Sequence, residues 1–217
     1  MTLEITGLSV RFRNEPPLFA PLDLHVAAGE VTTVMGPSGI GKSTLLDAIG
    51  GHLVAGFTMT GSVRLDGQEV THLPPEARRI GLMFQDAALF PHLSVGDNLA
   101  FGLAREIRGR AARRAAVEAA LEQAGLAGLY ERDPATLSGG QRARAALMRT
   151  LLADPQALLL DEPFSRLDAA RRAAMRDFAF AHIRDRAIPA LMVTHDPADA
   201  EATGGPVLSL TTEMPGG

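Results

Sequence analysis

One lysine narrows the possible folds of this 217-residue chain more than any other residue. Lys42 is its only lysine, and every other fixed cation on a side chain is an arginine. It stands in Gly36-Pro37-Ser38-Gly39-Ile40-Gly41-Lys42-Ser43-Thr44. A compact charge on a slim stem fits where a planar guanidinium fork does not. The stretch satisfies G-x-x-x-x-G-K-[ST], a loop whose backbone N–H groups wrap phosphate oxygens ahead of a helix N-terminus. Val31-Thr32-Thr33-Val34-Met35 reads as a buried strand leading into it, and residues 43–50 read as the helix that follows. The pattern implies a nucleoside triphosphate with Mg²⁺. Gly36, Gly39 and Gly41 let the backbone come close, Lys42 is expected at the β- and γ-phosphates, and the Ser43 hydroxyl is expected on the metal.

The rest of the chain divides by pattern. Residues 2–10 and 22–26 alternate apolar and polar, as half-buried strands do. Residues 63–65 before Asp66-Gly67 read as a strand ending in a tight turn, and residues 80–84 as another strand. From 94 to 153 strand signals vanish and Ala, Leu and Arg dominate. Val117, Leu121 and Ala124 recur at helical spacing before Gly125, and a second helix is predicted from near Gln141 to Ala153. Strands return at 157–160, 190–193 and 207–210, with a helix between Asp168, its expected N-cap, and about Arg186; 211–217 reads as a loose tail. The fold class expected is α/β with a mostly parallel sheet, because strands alternate with helices. The expected division is an α/β core over 1–85 and 154–217 and an inserted helical subdomain over 86–153.

Composition removes several classes. A net charge of -4 gives no global basic field for nucleic acid. With no cysteine there are no disulfides, thiol nucleophiles or Cys-based zinc sites. No signal peptide is visible, and no apolar run approaches the roughly 20 residues of a membrane helix. Action at a membrane would then need a partner to hold the chain there. His25, His52, His72, His92 and His182 lie in no metal-like spacing. The arginines at 105, 108, 110, 113 and 114 lack interleaved aromatics and read as a solvated helix face, near lipid headgroups at most.

Two further segments carry chemistry. Leu158-Leu159-Leu160-Asp161-Glu162 is a buried strand that brings Asp161 to a metal at its carboxyl end, with Glu162 placed to polarise an attacking water. Leu137-Ser138-Gly139-Gly140-Gln141 is a glycine turn opening a helix, a second anion-binding N-terminus in the same chain. Placed between the two phosphate-site motifs, LSGGQ resembles the signature of the ATP-binding cassette (ABC) ATPases. The resemblance extends over nearly the whole chain. Gln85 matches the Q-loop glutamine, His195 in Thr194-His195-Asp196 the switch histidine, Ser165-Arg166-Leu167-Asp168 the D-loop, and Phe12 the aromatic that stacks on adenine. Phe12 replaces the commoner tyrosine and also suits a core position. Arg166 stands where the family has a small residue, pointing to solvent or reaching across a dimer.

The resemblance implies a P-loop NTPase core with an N-terminal antiparallel β part and an inserted helical subdomain. It implies ATP hydrolysis with Mg²⁺ held by Ser43, Gln85 and Asp161. Lys42, Gln85, Glu162 and His195 form the catalytic set. Gly36 to Thr44, Phe12 and Ser138, Gly139, Gly140 and Gln141 touch nucleotide. Two copies are expected to pair head to tail, with Ser138 and Gly140 facing the γ-phosphate held by the partner copy. Membrane subunits are expected to dock near Gln85 to Leu93, with a solute-binding protein in the complex and no nucleic acid. The run from Phe84 to Leu99 looks like importer ATPases of the iron, thiamine, spermidine and sulfate type, many of which carry a C-terminal regulatory domain not expected here. That places the chain at the cytoplasmic face of the plasma membrane. An exporter ATPase, or a cassette acting on nucleic acid or the ribosome, is the alternative.

Overall fold

In the computed structural model, residues 1–86 and 88–212 are described; positions 213–217 of the expected tail lie outside them. Strand β1 (Leu3–Phe12) turns Leu3, Ile5, Leu8 and Val10 inward. It pairs antiparallel with β2 (Leu22–Val26) on one side and β4 (Phe57–Leu65) on the other, and β4 continues into β5 (Gln68–Glu69). This antiparallel sheet has the order β2-β1-β4-β5. A second sheet has the order β6-β7-β8-β3-β9, from β3 (Val31–Met35), β6 (Ile80–Met83), β7 (Ala157–Asp161), β8 (Ala190–Val193) and β9 (Val207–Ser209). Strand β3 runs parallel to β8 and β9, and β7 parallel to β8. In β7 and β8 every residue but Asp161 is buried, which explains their unbroken apolar runs. The α/β expectation, with its antiparallel N-terminal part, describes what is found.

Helix α1 (Lys42–Gly50) packs against β7 of one sheet and β1 of the other. Its Leu45, Leu46, Ala48 and Ile49 fill a core shared with Leu3, Val34, Val63, Leu159 and Leu191. The far end of α1 is held by Arg78, at the end of the short helix α2 (Pro75–Arg78). The buried guanidinium donates from Nη1 to the carbonyls of Ala48 and Ile49 at 2.9 and 2.7 Å, and from Nε to Leu73 at 2.9 Å. Nη2 adds a bond to the Thr71 carbonyl. One side chain thus adds partners for the last carbonyls of α1, beside the Gly51 amide that donates to Ala48.

Two compact units result: 1–82, 156–162 and 180–217 form one, and 83–155 and 163–179 the other. The second holds α3 (Val95–Phe101), α4 (Arg110–Gln123), a 3-10 turn (Pro134–Thr136) and α5 (Gly139–Leu151), with α3 packed on both longer helices. Helix α6 (Ala169–Asp185) begins in this unit and ends in the first. Segment 163–179, placed by sequence with the core, groups instead with the helices: Ser165 and Arg166 bond Gln85 and Asp86 there.

Other details also differ from expectation. The strand anticipated at 63–65 is the end of a nine-residue strand, and α5 starts at Gly139, two residues before Gln141. Short helices α2, α3 and α7 (Pro197–Thr203) were not individually foreseen. Helix α3 has a weak helical sequence but a strong tertiary anchor. The fully buried Asn98 accepts from the Phe90 amide at 2.7 Å and donates to the carbonyls of Phe90, Leu93 and Ser94. Of the arginines expected on a solvated face, Arg105, Arg108, Arg110 and Arg114 are exposed, and only Arg113 is half-buried. Arg113 donates to Ala100 and Ile107 carbonyls, while Arg114 pairs with Glu118 and Glu131 and lies over the Tyr130 ring. Among the described residues no helix is long and apolar enough to cross a membrane.

Candidate functional site

The parallel register brings the chemistry to one edge of the second sheet. Asp161 lies opposite Val193, and Val193 opposite Val34, so the three strands end level. Beyond those ends come Glu162, Thr194-His195 and the glycine loop that starts at Gly36. The carboxyl edge of a parallel sheet is where such folds bind ligands.

Within the loop, Pro37, Ser38 and Gly39 are exposed and Lys42 is buried. The Lys42 ammonium folds back and donates to the carbonyls of Gly36 at 2.8 Å and Pro37 at 3.1 Å. Its charge is thereby held inside the loop curve. Gly41, the N-cap of α1, has φ 100 and no side-chain cap. A Cβ there would meet Leu18 Cδ1 at 3.0 Å in a backbone state that L side chains rarely adopt. The first-turn amides of α1 therefore point outward from a bare, Cβ-free turn, the geometry that suits phosphate oxygens. Ile40 closes the loop from inside, its amide donating to the Pro37 carbonyl at 3.4 Å; Thr44, one residue past Ser43, is half-buried.

The Ser43 hydroxyl lies near enough to the Asp161 carboxyl to lower its proton affinity. Burial pushes the Asp161 carboxyl above the usual aspartate range; the Ser43 hydroxyl and the Lys42 charge oppose this, while Glu162 and Asp47 add to it. A hydroxyl and a carboxylate, both hard oxygen donors next to open solvent on the Ser43 side, fit a Mg²⁺ that keeps several waters. Glu162 follows in a left-handed backbone conformation, φ 43, fixed by its amide donating to the Val193 carbonyl at 3.0 Å. That conformation costs a non-glycine residue about 1–2 kcal/mol. It also aims the side chain: Glu162 Oε1 lies 3.0 Å from His195 Nδ1. A carboxylate only accepts, so in this contact the proton lies on Nδ1.

Phe12 ends β1 directly opposite Phe57, with ring centroids 5.0 Å apart, and the Arg13 guanidinium lies 4.9 Å from the Phe12 centroid. The ring is half-buried, so part of it remains open for stacking.

The remaining anticipated residues belong to the helical unit. Ser138 caps α5, accepting from the Gln141 amide at 3.3 Å, while Gln141 Oε1 accepts from the Ser138 amide at 2.9 Å. Gln141, anticipated as a nucleotide contact, closes this capping box with its side-chain oxygen. Gly139 and Gly140 lie in the first turn of α5. The exposed Gln85 donates from Nε2 to Ser165 Oγ at 3.4 Å, and Arg166 Nη1 lies 2.5 Å from Asp86 Oδ1. Sequence reading gave Arg166 to solvent or to a second chain; it is exposed, but paired within its own chain. Asp47, the strained backbone of Glu162 and the Arg78 anchor were not anticipated. Of these only Asp47 left a signal, four residues after Ser43 and so on the same helix face.

The model of the ABC transporter family matches residues 19–165. The chain belongs to the ABC transporter family. This cassette is 51% identical over 198 residues to the ABC transporter ATP-binding protein YnjD of Escherichia coli K12, covering 91% of this chain and 90% of that one. It is 44% identical to the thiamine import ATP-binding protein ThiQ of Mesorhizobium japonicum, over 88% of this chain and 75% of ThiQ. Identity to the sulfate/thiosulfate import ATP-binding protein CysA of Mycobacterium tuberculosis H37Rv is 45%, over 82% of this chain. The cassette spans half the length of that CysA. A solved dimeric ATP-binding cassette, MJ0796 in a post-hydrolysis state with ADP and Pi, superposes with a TM-score of 0.80 at 27% identity, covering 97% of this chain and 94% of that one. The cassette is thus the ATP-binding, ATP-hydrolysing subunit type of ABC transporters.

Proposed function

We propose that this cassette powers solute import by closing and opening as a head-to-tail pair around ATP. The observation that carries the reading is the convergence of Lys42, Ser43, Asp161, Glu162 and His195 at one sheet edge. Lys42, already held against the loop carbonyls, meets the β- and γ-phosphates. Ser43 and Asp161 hold Mg²⁺, which neutralises phosphate charge when bound. Glu162 orients or deprotonates the attacking water, and His195, hydrogen-bonded to it, keeps water and γ-phosphate in line. Phe12 stacks on the adenine. Gln85 reports the state of the metal site to the helical unit.

The pairing rests on Ser138 and the amides of Gly139 and Gly140, which would meet the γ-phosphate bound by the partner copy. Neutralising charge across the seam makes ATP the ligand that favours the closed pair, and hydrolysis removes that preference. The import direction is supported by the names of ThiQ and CysA, both import proteins. A pocket of about 560 Å³ in the helical unit, lined by Gln85, Leu89, Pro91, Ala135 and Leu167, suits a knob of apolar side chains from a membrane subunit. Such subunits would hold the cassette at the cytoplasmic face of the plasma membrane, with a solute-binding protein completing the complex.

The test is Glu162→Gln. Turnover is expected to fall by roughly 10²–10⁴ while ATP binding persists, the scale of a lost general base. Near-normal turnover would reject the role given to Glu162. Purification from membranes should bring a polytopic partner and a solute-binding protein; recovery with nucleic acid or ribosomes instead would reject the transport reading.

A further inference from the structure

Two consecutive residues of one loop grip two consecutive residues of another in the helical unit. Gln85 bonds Ser165, and Asp86 bonds Arg166. The two contacts differ in strength. At 3.4 Å the Gln85–Ser165 bond is at the outer limit for an amide and a hydroxyl, whereas the ion pair is short at 2.5 Å. Of these two contacts the ion pair is the closer. Both charges are more than half exposed, so the pair is open to screening and to competition by an incoming group. Asp86 and Arg166 also line the 560 Å³ pocket, beside Leu89 and Leu167. Gln85 lines the same pocket.

We propose that Asp86 and Arg166 are positioning residues: their ion pair clips Gln85-Asp86 to Ser165-Arg166 and so holds Gln85 where hydrolysis needs it. This rests on the role proposed above for Gln85. It makes the pair a contact that pocket occupancy can strengthen or break, and it gives the unusual arginine in the D-loop place a purpose inside its own chain.

The test is a double-mutant cycle on the full chain. Asp86→Asn and Arg166→Gln should each lower kcat about two- to fivefold, the range of an exposed ion pair, with KM for ATP moving less than twofold. The double variant should be no slower than either single one, since both break the same contact. Arg166→Lys should keep most of the rate, and the exchanged pair D86R/R166D should recover it. Effects that multiply, an exchanged pair as slow as the single variants, or unchanged rates would overturn the proposal. Hydrogen exchange gives a readout independent of turnover. Peptides covering 83–91 and 163–169 should both exchange faster in each single variant and return to normal in the exchanged pair. Unchanged exchange would overturn the clip even if rates moved. If exchange follows the cycle but Gln85→Ala hydrolyses ATP normally, the clip stands and the role given to Gln85 falls.

Discussion

The cassette contains two glycine turns that open helices, and they are built on opposite principles. The turn at 36–42 ends in a left-handed Gly41 with no side-chain cap, and its lysine bonds the loop's own carbonyls. The turn at 137–141 ends in an extended Ser138 that caps α5 and is capped in return by Gln141. The first leaves its helix N-terminus to whatever anion arrives; the second satisfies two of its own donors and keeps Gly139 and Gly140 at the surface. A turn of the first kind needs a ligand to be complete and binds alone. A turn of the second kind is already stable, and is suited to meeting an anion that another surface holds.

The largest effect expected from this contrast comes from Gly41→Ala. A methyl group there meets Leu18 at 3.0 Å in a backbone state with φ 100. Strain of this kind amounts to about 1–3 kcal/mol, so ATP affinity of the isolated chain should fall about ten- to a hundredfold in equilibrium titration. Gly140→Ala is the counterpart. Its nearest neighbour would be Arg171 Cδ at 3.8 Å, ordinary contact distance, in a helical conformation. Affinity of the isolated chain should stay within twofold while steady-state hydrolysis drops about tenfold, as for a group acting only on the partner's nucleotide. Equal losses of affinity in both variants would break the comparison.

A smaller effect tests the self-sufficiency of the second turn. Ser138→Ala removes the acceptor for the Gln141 amide and should cost about 1 kcal/mol of stability. The loss should appear in thermal unfolding without nucleotide. If stability is unchanged, the capping box is not what holds that turn.

How far these features were legible follows from where their information resides. Strand β3, the loop and α1 were readable because loop chemistry restricts each residue locally: glycine for space, lysine for charge, apolar side chains for the core. Helix α3 was not, because Val95–Phe101 is specified by Asn98 reaching back to Phe90, Leu93 and Ser94, a tertiary device with no period. Helix α5 starts at Gly139, within the glycine turn expected to open it, because the Ser138–Gln141 box offsets the poor helix propensity of Gly139 and Gly140. Arg166 could be recognised as unusual, but its partner Asp86 lies eighty residues earlier and no spacing rule links them. Glu162's backbone conformation is dictated by a bond to Val193 on the next strand, equally invisible along the chain.

The smallest effect lies at Asp161, on the side of the molecule that waits for a ligand. Burial raises its pKa, with Glu162 and Asp47 reinforcing the shift and the Ser43 hydroxyl and the Lys42 charge only partly offsetting it. A carboxyl that holds its proton more tightly when folded adds stability that is full below its unfolded value of about 3.8 and disappears as pH rises through the folded value. Above that window the ionised group is a burden on the free protein. Asp161→Asn removes the charge and keeps a polar group near Ser43. In nucleotide-free protein with chelator, the variant should melt about 1–3 °C above the wild type at pH 7, and the gap should shrink as pH falls towards 4. With Mg²⁺ and ATP the order should reverse, since a cation favours the ionised carboxylate that the variant lacks. A variant less stable at pH 7 without ligand would mean that the Ser43 hydroxyl and the Lys42 charge together outweigh burial. The phosphate-loop side would then be as self-satisfied as the capped turn at 137–141, and the contrast between the two turns would fail.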